Sequence, residues 1–170
     1  VLYLTTSVVQ GGLGFSDKWA LQLYGLFTGL VYFTPIIGGW LTDNYIAKRT
    51  AITIGGIIMA AGQIALFGIN SSTGLYLGLI LLIIGNGFFK PNISTLVGEL
   101  YEDNDPRRDG AFTIFYMGIN LGALFAPLVT GYLAQTLFFD ANGAGKADDL
   151  FGYRFGFLAA AIGMIIGQII

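Results

Sequence analysis

A single lysine, Lys90, lies in the most apolar part of the sequence. The stretch from Leu75 to Val97 holds one charge, and Pro91 follows Lys90 directly within the segment GNGFFKPN. A lysine near the centre of a bilayer costs roughly 2.5–3.5 kcal/mol on insertion scales. Ionisable side chains at such depth face the interior of a helix bundle or a cavity. The position predicts a functional lysine, and the alternative is a side chain that extends its amine to the membrane surface.

Three more polar side chains lie near the middle of apolar segments. At a rise of about 1.5 Å per residue, Tyr32 is close to the centre of its segment, and Lys90 is about 6 Å from the centre of its own. Tyr116 and Asn120 are four residues apart, so that they share one helix face. One interpretation is structural: each tyrosine is a packed aromatic ring, and Asn120 forms a hydrogen bond between helices. The alternative is that they line a polar cavity together with Lys90.

The carboxylates of the sequence are far from Lys90. An ammonium group buried without a partner is costly. The ten acidic residues all lie at the ends of apolar segments or between them: Asp17, Asp43, Glu99, Glu102, Asp103, Asp105, Asp109, Asp140, Asp148 and Asp149. Either Lys90 is uncharged or its partner lies outside this sequence, with the first helix as the nearest candidate. An exchangeable pair of this kind suits a proton-coupled carrier, because protonation of the acid releases the lysine.

The composition is that of a polytopic membrane protein. Hydrophobic residues make up 55% of the 170 residues, charged residues make up 11%, and Gly occurs 26 times. Soluble domains carry about 25% charged residues. There is no Cys or His, and the net charge is −2 without a basic cluster. We therefore expect an all-α transmembrane bundle that is not an enzyme, has no metal site and binds no nucleic acid.

The apolar runs predict five and a half membrane spans, since about 20 apolar residues cross a bilayer. The sequence begins and ends within apolar runs, so we expect a piece of a longer chain. The predicted helices are a partial helix at 1–10 and helices at about 17–42, 50–69, 74–100, 106–136 and 150–170. Glycines four residues apart predict close helix packing at Gly25/Gly29, Gly118/Gly122, Gly152/Gly156 and Gly163/Gly167.

Three stretches resemble the proton-dependent oligopeptide transporter family of the major facilitator superfamily. GGWLTDNYIAKRT (38–50) is similar to the superfamily's motif between helices 2 and 3, although Asn44 replaces the usual basic residue after the aspartate. The stretches 85–112 and 112–133 closely resemble the family's signature on helices 4 and 5. The resemblance covers essentially the whole sequence as helices 1 to 6 of about twelve. It implies an N-terminal six-helix half, with a C-terminal half outside this chain.

The resemblance also implies residue roles. Lys90 matches a lysine that takes part in proton coupling and contacts the carboxylate end of the peptide. Asn120 matches an asparagine that binds peptide backbone or termini, and Tyr32 and Tyr116 match tyrosines of the binding pocket. The family's E-x-x-E-R motif, which carries protonatable glutamates, belongs on the first half of helix 1 and is absent from this sequence.

The motif between helices 2 and 3 places Asp43 at the predicted cytoplasmic end of helix 2 and Arg49 just before helix 3. These charges can form an ordinary charged turn. The alternative is a conformational latch, in which they pair in one transport state and separate in the other.

The expected function is the proton-coupled symport of di- and tripeptides by alternating access across the cell membrane. The expected partners are peptides, protons, the lipid bilayer and the C-terminal helix bundle, and no cofactor is expected besides protons as the coupling ion. One alternative is a carrier of the same fold for nitrate or a small organic ion. Another is a membrane scaffold or receptor that transports nothing.

Overall fold

The computed structural model describes residues 1–5, 7, 12–69, 71–102, 104–133 and 151–169. Every regular element in these ranges is helical. The elements in chain order are α1 (Leu2–Thr5), α2 (Asp17–Asn44), α3 (Lys48–Gly68), α4 (Ser72–Glu99), α5 (Arg107–Tyr132) and α6 (Phe151–Ile169). Helices α2 to α5 are long and apolar enough to cross a membrane, and α6 has a shorter apolar stretch, Arg154–Ile169.

Polar residues define where the long helices begin. Ser16 accepts a hydrogen bond from the backbone N–H of Trp19 at the start of α2, and Ser71 accepts one from Gly74 at the start of α4. Such caps satisfy N–H groups that have no partner within the helix. These caps and the flanking charges explain why α2 to α4 lie within a few residues of the predicted segments.

The two ends of the sequence differ more from the prediction. The partial helix expected at 1–10 is a single turn, Leu2–Thr5, and Ser7 is already outside it; residues 6 and 8–10 lie outside the described ranges. The helix expected at 106–136 begins at Arg107, because Pro106 occupies the N-cap position. Its predicted last residues, 134–136, lie outside the described ranges, as do 150 and 170 of the final helix.

Helices α3 and α4 pack antiparallel along two pairs of glycines. A β-carbon on Gly55 would lie 2.7 Å from the carbonyl oxygen of Gly85, and one on Gly62 would lie 3.0 Å from that of Gly78. Such distances leave no room for side chains, so the two backbones approach each other directly. This is the close packing that small residues allow in lipid.

Helices α2 and α4 pack in parallel, because residue numbers rise in the same direction on both helices along their contact. Thr34 donates to the carbonyl of Ile83 at 3.0 Å, and Asn92 donates to the Thr42 hydroxyl at 3.0 Å. A β-carbon on Gly38 would overlap the Gly87 carbonyl group. We call this parallel contact between α2 and α4 the seam.

The glycines singled out by spacing are mostly not the packing glycines. A β-carbon would meet nothing within 4 Å on six of them: Gly25, Gly29, Gly118, Gly122, Gly163 and Gly167. Gly156 differs, with the Thr130 side chain 3.5 Å from its β-carbon position, and the surroundings of Gly152 lie outside what the structure describes. For these six, the prediction of close packing was wrong within the described part of the chain.

Helix α6 lies against α3, and α5 is the least covered helix. Arg154 of α6 donates from Nε to the carbonyl of Phe67 at 2.6 Å, which ties the start of α6 to the end of α3. Helix α5 contains no buried residue. It touches α4 where Phe112 approaches Gly98, and α6 where Thr130 approaches Gly156, near its two ends.

Candidate functional site

The structure brings two of the four predicted pocket residues into contact. The Lys90 ammonium group lies over the Tyr32 ring, 4.4 Å from the ring centroid. An aromatic face attracts a cation by about 0.5–2 kcal/mol, more when the pair is shielded from water. Both side chains are exposed on the helix bundle, and Tyr32 is 67% exposed. Lys90 lies near the middle of α4, and its exposed amine can reach a ligand beside the seam.

The seam fixes where the two side chains begin. Asn86, one turn before Lys90 on α4, donates from its amide nitrogen to the carbonyl of Val31 at 2.8 Å. Val31 directly precedes Tyr32 on α2. A hydrogen bond thus joins α2 and α4 next to the Lys90–Tyr32 pair.

No carboxylate lies within ion-pair distance of Lys90 in the described part of the chain. The ion pairs found there join Lys48 to Glu99 and Arg107 to Asp105. In this part of the chain the Tyr32 ring is the group that faces the ammonium charge.

The other two predicted pocket residues lie together on α5. The Asn120 amide donates to the Tyr116 carbonyl at 2.9 Å, and both side chains are exposed. They lie on an open face of α5, and all residues of this face belong to that one helix: Phe112, Thr113, Tyr116, Met117, Asn120, Leu121 and Leu124. The face is mostly apolar, and its polar side chains are Thr113, Tyr116 and Asn120. Sites for small ligands are concave, so this face would form a pocket only with a second wall opposite it.

The predicted latch residues lie beside a cleft at the turn between α2 and α3. Asp43 and Arg49 are exposed and line a cleft of ≈ 530 Å³. The ion pair in this cleft joins two other residues that line it, Lys48 and Glu99, and so links the start of α3 to the end of α4. Sequence reasoning did not single out Lys48 and Glu99 as partners. The two adjacent basic residues gave no sign of which one reaches α4.

Comparison with known proteins places this geometry among transporters. The family model described as the POT family matches residues 49–170. The chain is 44% identical over 168 residues to the uncharacterized transporter YclF of Bacillus subtilis (strain 168), which covers 99% of this chain and 31% of that protein. It is 40% identical over 167 residues to a di-/tripeptide transporter of Lactococcus lactis subsp. lactis (strain IL1403), which covers 96% of this chain and 30% of that protein.

A solved structure is similar over nearly the whole chain. A mutant of the peptide transporter POT in complex with alafosfalin superposes with a TM-score of 0.87 and 38% sequence identity. The superposition covers 98% of this chain and 32% of the other. The chain therefore spans about a third of the length of the proteins it matches.

Proposed function

This chain belongs to the POT family, in the major facilitator superfamily, and from that premise we propose that the protein carrying it is a proton-coupled symporter of di- and tripeptides in the cell membrane. The chain is an all-α, multi-pass membrane bundle. The proposal concerns the whole protein, of which the chain covers about a third by comparison with its relatives.

The observation that carries the proposal is the lysine at mid-span, paired with an aromatic ring and open on one side. Peptides differ in their side chains but share two charged termini and a backbone. A site for many peptides must therefore bind the shared groups and leave apolar room for the rest. Lys90 supplies a cation for the peptide carboxylate, and a charge-assisted hydrogen bond is about twice as strong as a neutral one.

The exposed face of α5 around Tyr116 and Asn120 supplies the complementary groups. Asn120 offers an amide that both donates and accepts, which matches a peptide backbone. Tyr116 offers a hydroxyl on an apolar ring. We propose that these residues bind the peptide opposite Lys90 and Tyr32, within a pocket completed by the remaining helices of the protein.

Proton coupling requires an acid that exchanges with Lys90. We propose that this acid lies in a part of the protein outside this chain, since the relatives are about three times as long. In that arrangement protonation of the acid releases Lys90 to bind the peptide carboxylate. The difference in charge pairing then biases the inward-facing against the outward-facing state.

The cleft at the turn between α2 and α3 suits a role in that conformational bias. We propose that Asp43 and Arg49 act as a latch that pairs in one transport state, next to the Lys48–Glu99 pair that holds α3 to α4. Neutralising either latch residue should change the rate of transport, and it should change the apparent affinity for peptide only by the shift in population of the peptide-binding state.

Uptake into proteoliposomes tests the proposal. The purified intact protein is reconstituted, and accumulation of labelled dialanine is measured with an imposed inward proton gradient. Lys90→Ala should reduce gradient-driven accumulation by at least about tenfold, because one charge-assisted bond is worth about 1.5–3 kcal/mol. Lys18→Ala, an exposed lysine in the first turn of α2, is the matched control and should transport like the parent protein.

Two outcomes would overturn the proposal. One is dialanine accumulation by Lys90→Ala at the parent rate. The other is that dialanine does not accumulate while labelled nitrate or a small organic ion does, which would assign the fold to another cargo. Excess unlabelled nitrate should therefore leave dialanine uptake unchanged.

A further inference from the structure

A proline inside α2 leaves one backbone carbonyl without its helical donor. Pro35 lies within the helix Asp17–Asn44. Proline has no backbone N–H, so the carbonyl four residues earlier, that of Val31, loses its bond within the helix. An unsatisfied backbone group in the apolar part of a membrane protein costs several kcal/mol where no water reaches it.

Asn86 supplies the missing donor from the neighbouring helix. Its amide nitrogen lies 2.8 Å from the Val31 oxygen, in a partly buried position. An asparagine amide carries two donor hydrogens on a short side chain. The bond therefore replaces the intrahelical hydrogen bond that Pro35 cannot form, and it does so from α4.

A second proline lies on the other helix of the seam. Pro91 of α4 likewise removes the donor to the Gly87 carbonyl, and that carbonyl group abuts Gly38 of α2. Thr34, which directly precedes Pro35, donates to the Ile83 carbonyl at 3.0 Å. Each helix thus turns a carbonyl freed by its own proline toward the other helix, within the seam.

The Val31–Asn86 bond lies close, along both helices, to the residues that carry the cation and the ring of the proposed site. Val31 is joined directly to Tyr32, and Asn86 is one helical turn from Lys90. Shifting α2 along or around its axis at this level would move the Tyr32 ring away from the ammonium group, which now lies 4.4 Å from its centroid. A hydrogen bond to the adjacent carbonyl resists that shift.

We propose that Asn86 is a positioning residue for the Lys90–Tyr32 pair, and that it acts by donating the hydrogen bond that Pro35 denies to Val31. It does not contact the peptide. Its effect on transport rests on the proposed function, but its effect on the position of the Tyr32 ring does not.

A double-mutant cycle with Pro35 separates this role from ordinary helix packing. If Asn86 only holds two helices together, removing it costs the same whether or not residue 35 has an N–H. If it replaces the missing N–H, then Pro35→Ala restores the helical donor and makes Asn86 dispensable. Coupling between two residues on different helices is the quantity that such a cycle measures.

The first readout is the environment of the Tyr32 ring, which needs no transport. In the intact protein, 3-fluorotyrosine is placed at position 32 and its ¹⁹F resonance is recorded, with Lys90→Met as the reference for a ring without its cation. Asn86→Ala should move the resonance toward that reference, and Asn86→Ala combined with Pro35→Ala should move it back. Asn92→Ala, which removes another amide from the same seam, is the control and should leave the resonance in place.

The second readout is dialanine uptake with its KM and maximal rate separated. Asn86→Ala should raise KM by about fivefold to tenfold, the value of roughly one hydrogen bond, and Pro35→Ala should restore it in the double variant. Asn92→Ala should lower the melting temperature in detergent without changing KM. Loss of folding in Asn86→Ala alone still leaves the comparison of Pro35→Ala with the double variant, whose spectra and KM should match.

The results that would overturn the inference are specific. An unchanged ¹⁹F resonance in Asn86→Ala would show that Asn86 does not position the ring, and an effect that Pro35→Ala does not reverse would show that Asn86 is not the substitute donor. If the resonance behaves as expected but no variant transports dialanine, the inference holds and the proposed function fails.

Discussion

The seam between α2 and α4 and the middle of α5 both carry polar residues in an apolar bundle, but they differ in where the hydrogen-bond partners of these residues lie. In the seam, polar groups are satisfied across helices: Asn92 is 2% exposed and donates both to the Thr42 hydroxyl and to the Phe88 carbonyl. In the middle of α5, Asn120 donates only within its own helix among the bonds described, and its side chain is exposed.

This difference separates the proposed peptide site into two halves with different origins. The Lys90–Tyr32 half is positioned by bonds and close glycine contacts formed by this chain. The Tyr116–Asn120 half sits on a helix that touches its neighbours near its ends. The first half is therefore held by contacts within this chain, whereas the middle of α5 has no such contacts among the described residues.

Glycine substitutions give the largest expected contrast between the two regions. Gly38→Ala should destabilise the protein by about 3 kcal/mol, the upper range for overpacking, because the clash is with backbone atoms of Gly87 that cannot rotate away. Gly118→Ala on α5 meets nothing within 4 Å, and should be neutral or stabilising by up to about 1 kcal/mol because alanine favours helix.

The measurement is the melting temperature of each variant in detergent. The same substitution should shift it downward in the seam and leave it level or higher on α5. Equal losses in both variants would mean that the α5 face is packed as closely as the seam, and the comparison would fail.

Two asparagines provide the next contrast. Asn92→Ala should lower the free energy of unfolding by about 1–2 kcal/mol, since a buried hydrogen bond across helices is lost. Asn120→Ala should change it by less than about 0.5 kcal/mol, as expected for an exposed side chain, yet it should raise the KM for dialanine. Chemical unfolding in mixed micelles and uptake kinetics measure the two effects. A stability loss for Asn120→Ala that matches Asn92→Ala would assign Asn120 to packing instead of binding.

The sequence predicted the helices of both regions well and their contacts poorly. Hydropathy and capping residues act locally, so α2, α3 and α4 lie within a few residues of the expected segments. Packing glycines depend on which helix lies opposite, and a four-residue spacing carries no such information. Gly25 and Gly29 have that spacing and face open space, whereas Gly55 and Gly85 lack it and form a contact.

The candidate site was predictable to the same extent. Lys90 stood out because a charge in an apolar segment is costly, and its contact with Tyr32 is consistent with the pocket that the sequence predicted. Asn86 was not singled out, although a proline in a neighbouring apolar segment signals a carbonyl that needs a donor. Which helix supplies that donor depends on the tertiary fold.

The Lys48–Glu99 pair, which joins the start of α3 to the end of α4, should contribute less to stability than the buried Asn92 hydrogen bonds. Its side chains are 26% and 50% exposed, and ion pairs at exposed positions contribute about 0.2–1 kcal/mol. Lys48→Gln should therefore lower the free energy of unfolding by no more than about 1 kcal/mol, and added salt should reduce the difference. The charge swap Lys48→Glu with Glu99→Lys should restore most of the loss. Failure of the swap would show that the contact depends on packing of the side chains and not on their charges.

The start of α5 provides the smallest effect and tests whether this helix is anchored at its end. Asp105 precedes α5 and accepts hydrogen bonds from the Arg107 guanidinium and from the Arg107 backbone N–H. The guanidinium, and then the backbone N–H, hold the pKa of the Asp105 carboxyl below its ordinary value. A carboxyl whose pKa is lowered on folding stabilises the folded state above its unfolded pKa, and that contribution is lost as the pH falls through the lower, folded pKa.

The lowered pKa of the Asp105 carboxyl predicts a definite pH dependence for the variant Asp105→Asn. Between pH 5 and pH 7 the variant should exchange the backbone amide hydrogens at the start of α5 faster than the parent protein, after correction for intrinsic exchange. Below about pH 4, near the ordinary aspartate pKa, the difference should shrink and then vanish. Asp109→Asn, in the first turn of the same helix, is the matched control and should exchange these amide hydrogens like the parent protein. A difference that persists unchanged to low pH would mean that the Asp105 charge is not what anchors the start of α5.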